Sequence, residues 1–141
     1  MMQLKTLVVT SLILISVVLM SFHQSTPDKA MMQRGKKVYD TYCLTCHQMD
    51  GAGVPRMNPP LIKTTYVLGD KKRLINIILK GFNESVEING DYYDNPMPAQ
   101  PQLNDQQIAD VLTYVRNSFS NKASLITAAE VKAERAKLKK K

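Results

Sequence analysis

The sequence predicts an all-α fold with one short β-hairpin, and three observations carry that prediction. Apolar residues recur at helical spacing in separate stretches, each opened by a residue type that caps helices. Asn89-Gly90 sits between two short alternating runs, the mark of a tight hairpin. No stretch alternates strands with helices in the way a parallel sheet requires. The chain has 141 residues, enough for one small domain.

The N-terminus reads as a targeting segment. Lys5 supplies a short positive start, and Leu7 to Met20 is an apolar run broken only by Thr10, Ser11 and Ser16. The run falls short of the roughly 20 apolar residues of a membrane span and suits a signal peptide. No pair of small residues marks a cleavage site in Leu19-Met20-Ser21-Phe22-His23. Residues 1–25 are therefore either a signal peptide cut between Ser21 and Ser25 or an anchor kept through residues 4–22, and both stay open. Both place the protein in the periplasm or on the outer face of the cytoplasmic membrane.

A first helix spans Asp28 to Tyr42, with Met31, Gly35, Val38, Tyr39 and Tyr42 at helical spacing. Gly35 in mid-helix costs about 1 kcal/mol against Ala, so close approach by another helix is expected there. Cys43 to Asp50 forms a turn, and Gly51 to Pro60 is a loop too rich in Gly and Pro for a helix. A second helix runs from its cap Asp70 to Lys80, and Gly81 ends it. The hairpin Ser85 to Tyr93 leads into Pro96-Met97-Pro98. The last core helix opens at Asn104 with Gln107 completing a capping box, and Ile108, Val111, Leu112 and Val115 form its buried stripe. Thr127 and Glu130 open a further helix in the tail.

Cys43-Leu44-Thr45-Cys46-His47 carries the chemistry. C-x-x-C-H is the attachment signature of c-type haem. Two thiols add across the haem vinyl groups to form thioethers, and the histidine that follows becomes the proximal iron ligand. Both cysteines of the chain lie in this motif, and His47 is the only histidine beyond the leader. A redox-active C-x-x-C would follow a strand in a βαβ unit, and a structural zinc site would need a fourth ligand. The reading is covalent haem c with its iron, one per chain.

The expected distal ligand is Met97, held in a Pro-Met-Pro turn, because His/Met ligation is common in cytochromes c and raises the potential. Met57 is the rival. Pro60 is expected to offer its carbonyl to His47 Nδ1–H and so fix the ring. Tyr66, Tyr92, Tyr93 and Arg56 are weaker candidates for contact with the haem propionates.

The net charge of +7 is uneven. Residues 28–121 are nearly balanced, whereas Lys122 to Lys141 carries seven basic residues against Glu130 and Glu134. No aromatic platform accompanies the basic run, so nucleic-acid binding is not expected. Residues 122–141 read as a solvated, partly frayed helix, with electrostatic steering toward an acidic partner or anionic lipid as the alternative.

From Met31 to Asn121 the chain resembles the class I cytochromes c, the small monohaem His/Met family of bacterial periplasmic type. The resemblance rests on the Cys43–His47 motif, Gly51 to Val54, Pro59-Pro60-Leu61, Met97, and Leu103 to Phe119. It implies that Gly35 and Tyr39 meet the C-terminal helix near Tyr114-Val115. The hairpin before the Met loop is similar to bacterial domains that take electrons from quinoprotein dehydrogenases or feed terminal oxidases, and departs from mitochondrial-type cytochrome c. The expectation is a monomeric electron carrier rather than an enzyme, cycling between Fe(II) and Fe(III) between periplasmic redox proteins. The alternatives are a haem subunit partnering a quinoprotein dehydrogenase, or a haem enzyme or sensor with a labile sixth ligand.

Overall fold

The computed structural model describes residues 26–139, and the leader lies outside them. Six helices are present there: α1 (Lys29–Tyr42), α2 (Leu44–His47), α3 (Thr65–Leu68), α4 (Lys71–Lys80), α5 (Asp105–Arg116) and α6 (Ala128–Leu138). Two strands, β1 (Val86–Ile88) and β2 (Asp91–Tyr93), pair antiparallel with Val86 opposite Tyr93. The fold is the expected helical one with a single hairpin.

The helices begin where side chains satisfy their free N–H groups. Asp28 and Asp70 accept from the backbone N–H of Met31 and Arg73, each at 2.7 Å. Asn104 and Gln107 bond reciprocally at 2.9 and 3.0 Å, and Thr127 and Glu130 at 3.2 and 2.7 Å. Asn89 and Gly90 both take positive φ, as the two-residue hairpin turn requires. The short α2 and α3 carry too few residues for an apolar period to show in sequence.

The main core lies where α1 crosses α5. A Cβ on Gly35 would stand 2.7 Å from Tyr114 Cβ and collide with the Asp110 carbonyl, so only glycine lets the two backbones come this close. Beside the crossing, Arg34 grips Asp110 with both prongs, Nε to Oδ2 at 2.7 Å and Nη2 to Oδ1 at 3.1 Å. Tyr39 is buried with its ring 5.5 Å from Tyr114 and 5.3 Å from Phe119, and its hydroxyl donates to the Gln48 carbonyl at 2.7 Å. A second, smaller cluster joins Val86, Ile88 and Tyr93 of the hairpin to Tyr66 and Phe82.

The tail differs from the solvated helix expected of it. α6 packs against α4 and α5, with Val131 and Ile126 fully buried. Glu134 is buried too, accepting from Asn76 at 3.1 Å and Lys137 at 2.6 Å. Lys71 donates to Glu130 at 3.0 Å, and Arg135 donates to Asp105 at 2.7 Å. The tail has few apolar residues, and cross-helix charge pairs supply the rest of its docking. Composition alone does not reveal which charges find partners.

Candidate cofactor site

The α1–α2 junction, the loop after it, α4, α5 and the hairpin together enclose one apolar cavity. Its empty volume, counting the open mouth, is about 1060 Å³. Cys43, Cys46, His47, Pro60 and Met97 all lie on its wall. Leu74, Ile78, Val111, Leu112 and Val115 line its helical side, and Val86, Ile88 and Tyr93 its hairpin side.

His47 ends α2 and is buried. Burial holds its imidazole below the ordinary histidine range, with a bond to Pro59 pulling the other way. The ring is therefore neutral at pH 7, as a metal ligand must be. Nδ1 lies 3.0 Å from the Pro59 carbonyl, which fixes the tautomer and leaves Nε2 as the free nitrogen.

The acceptor is thus Pro59 and not Pro60. Gly53 N–H donates to His47 O at 3.0 Å, and Val54 and Asn58 close a tight loop with two backbone bonds of 2.9 Å. That loop delivers the carbonyl of the next residue, Pro59, to the ring. A residue before proline is held extended, and neighbouring carbonyls in extended chain face different sides, so the ring meets the Pro59 carbonyl while both prolines line the cavity. Nothing in the sequence separates two adjacent prolines.

Cys43 and Cys46 are free thiols. Burial, helped by the neighbouring Cys46, pushes the Cys43 thiol up to about 11. A redox-active C-x-x-C pair has a depressed thiol pKa, and Cys43 is shifted the other way.

Met97 lies opposite in chain position, between Pro96 and Pro98, and its backbone is clamped by Phe82. Met97 N–H donates to Phe82 O at 2.7 Å and Phe82 N–H returns to Met97 O at 2.8 Å. Gly81 makes the clamp possible, since it takes φ +76° and a Cβ there would sit 2.9 Å from Ala99 N. Phe82 carries no signal in the sequence, because a single isolated bridge has no periodicity. Met57 is half exposed and absent from the cavity wall. Tyr66 and Tyr93 line the cavity, and the Arg73 guanidinium stacks 3.8 Å from the Tyr66 ring centroid. Tyr92 and Arg56 point elsewhere: Tyr92 donates to Glu87 at 3.1 Å, and Arg56 lies 3.8 Å from Asp91.

Residues 32–119 match the family model described as Cytochrome c. The chain belongs to the cytochrome c family. It is 33% identical to "Cytochrome c-552" of Thermus thermophilus over 112 residues, covering 73% of this chain and 85% of the relative. It is 38% identical over 100 residues to the cytochrome c subunit of alcohol dehydrogenase (quinone) from Gluconacetobacter polyoxogenes, covering 69% of this chain and 21% of that subunit. A third relative is the gluconate 2-dehydrogenase cytochrome c subunit of Pantoea cypripedii, 35% identical over 103 residues, 70% of this chain and 23% of that one.

As a cytochrome c, the chain carries covalently bound haem c and its iron and works in electron transfer. The cavity fits that group. It offers two free thiols, a neutral imidazole with one nitrogen fixed by a carbonyl, and a thioether, all on the wall of one apolar space.

Proposed function

We propose that the chain shuttles single electrons between redox proteins on the outer side of the cytoplasmic membrane. In this reading Cys43 and Cys46 hold the haem by thioethers, and His47 and Met97 are the two axial ligands. The observation that carries the assignment is the buried His47, its Nδ1 held by the Pro59 carbonyl, lining the same apolar cavity as the backbone-clamped Met97. Bound there, haem c supplies one iron that accepts and returns one electron.

The chain's own residues set the conditions for that exchange. Pro59 holds the His47 ring in one orientation through its carbonyl. The Phe82 bridge and the two flanking prolines hold the Met97 backbone still, so little rearrangement accompanies a change of charge. The apolar wall of α4, α5 and the hairpin excludes water and so favours the less charged, reduced state. Cys46 is exposed at the mouth, which puts the open edge of the cavity beside the attachment turn. In this reading the protein is a carrier rather than a catalyst: His47 and Met97 would both bind the iron and leave it no open position, and His47 is the only histidine among the described residues.

The test is the spectrum of the protein made in an exporting host. The parent is expected to be low-spin, with the weak Met–iron charge-transfer band in the oxidised form. Met97→Ala should turn high-spin with a lower potential, while Met57→Ala should leave both unchanged. A reversal of the two outcomes overturns the axial assignment.

The partner in this reading is a dehydrogenase. Several relatives are named as cytochrome subunits of alcohol, gluconate and fructose dehydrogenases, although the chain spans only 21–23% of those longer proteins. Reduction of the purified protein by a periplasmic quinoprotein dehydrogenase, followed by stopped flow, checks this directly.

A further inference from the structure

α6 lies beyond residues 32–119, the span that the family model matches. One of its side chains reaches back to the segment that carries Met97. Arg135 Nη2 donates to the Leu103 carbonyl at 2.7 Å, and Arg135 Nε donates to Asp105 Oδ1 at 2.7 Å. Arg135 and Asp105 keep only 25% and 29% of their side-chain surface exposed, so these charge-assisted bonds are sheltered from solvent.

Leu103 and Asp105 are where the Met97 segment ends and α5 begins. The segment is tied at three places along its length. Its start is bridged to Phe82, and its middle is held by Gln100 N–H donating to Ile78 O at 2.9 Å. Its exit is held by Arg135. The first two anchors lie within the family span, and the third comes from α6. Leu103 is itself buried, so releasing its carbonyl would leave a polar atom poorly satisfied and loosen the exit of the segment.

We infer that Arg135 is a positioning residue for the distal ligand: α6 braces the exit of the Met97 segment and slows its opening away from the iron. The inference rests on Met97 being the sixth ligand. Arg135 does not line the cavity and acts through Leu103 and Asp105.

The experiment measures the rate at which added imidazole binds the oxidised full-length protein, a rate gated by departure of the native sixth ligand. Arg135→Gln should bind imidazole about tenfold faster than the parent, the scale set by losing one charge-assisted bond. Arg135→Lys, which keeps a charged donor, should recover part of the slow rate. Lys137→Gln breaks a different α6 ion pair, the one to Glu134, and should leave the rate at the parental value even where it lowers the melting temperature. Parental kinetics in Arg135→Gln, with the charge-transfer band intact, overturn the brace and leave the Met97 assignment standing. If instead the parent lacks that band, or Met97→Ala binds imidazole no faster than the parent, the ligand assignment itself has failed and the brace goes with it.

Discussion

Replacing Gly35 by alanine adds one methyl group at the α1–α5 crossing, and its cost follows from what that group would meet. The new carbon would stand 2.7 Å from Tyr114 Cβ and press on the backbone carbonyl of Asp110. Neither neighbour is the free end of a flexible chain, so α1 and α5 must separate. Separation loosens Tyr39 between Tyr114 and Phe119 and lengthens the Arg34–Asp110 pair. Overpacking of this kind costs about 1–3 kcal/mol, and contact with an immobile carbonyl puts this case near the upper end. Alanine returns about 1 kcal/mol through better helix propensity. The net loss is therefore about 2 kcal/mol, a fall of roughly 8 °C in melting temperature for a domain of this size. Urea and thermal unfolding of the holoprotein, followed by far-ultraviolet circular dichroism, measure it. A variant as stable as the parent, or more stable, would refute a rigid backbone approach at this crossing.

Other outcomes follow from the same structure. The double variant Cys43→Ala, Cys46→Ala should carry no covalent haem, and a holo mass surviving denaturation would contradict the attachment reading. Deleting residues 128–141 removes the fully buried Val131 and uncovers its pocket, so stability should fall by about 2 kcal/mol while the haem spectrum stays unchanged; unchanged urea midpoints would show that α6 adds nothing. Acid should act on the same helix. Burial pushes the Glu130 carboxyl up, but bonds from Thr127 and Lys71 outweigh it and hold the group below its usual 4.5; Lys137 and Asn76 do the same for Glu134. A lowered folded-state pKa gives stability that is present above the unfolded value and lost as pH falls through the folded one. Stability should therefore drop below about pH 4.5, and less steeply in Glu130→Gln; equal slopes in urea melts would refute the linkage.

What the sequence disclosed depended on how local each signal was. The capped helices and the Asn-Gly turn were legible because each is written within a few adjacent residues. The cofactor was legible for the same reason, since Cys43, Cys46 and His47 sit in one pentapeptide. The choice between Pro59 and Pro60 was not, because it depends on how the Val54–Asn58 loop folds back. Phe82 and Arg135 were missed because each acts on residues far along the chain, and a basic tail looks solvated until its partners Asp105, Lys71 and Asn76 are placed. The costly Gly35 was the one long-range contact that announced itself, by breaking a local rule.

The joining of α1 to α5 also has a kinetic side. Arg34 and Asp110 are 76 residues apart in sequence, so the contacts that close the core have high sequence separation and form slowly. A nascent chain that does not yet include residues 105–116 has no α5 against which to bury Val38 and Tyr39. Until residues 105–116 are available, α1 has no partner helix and its apolar face stays uncovered.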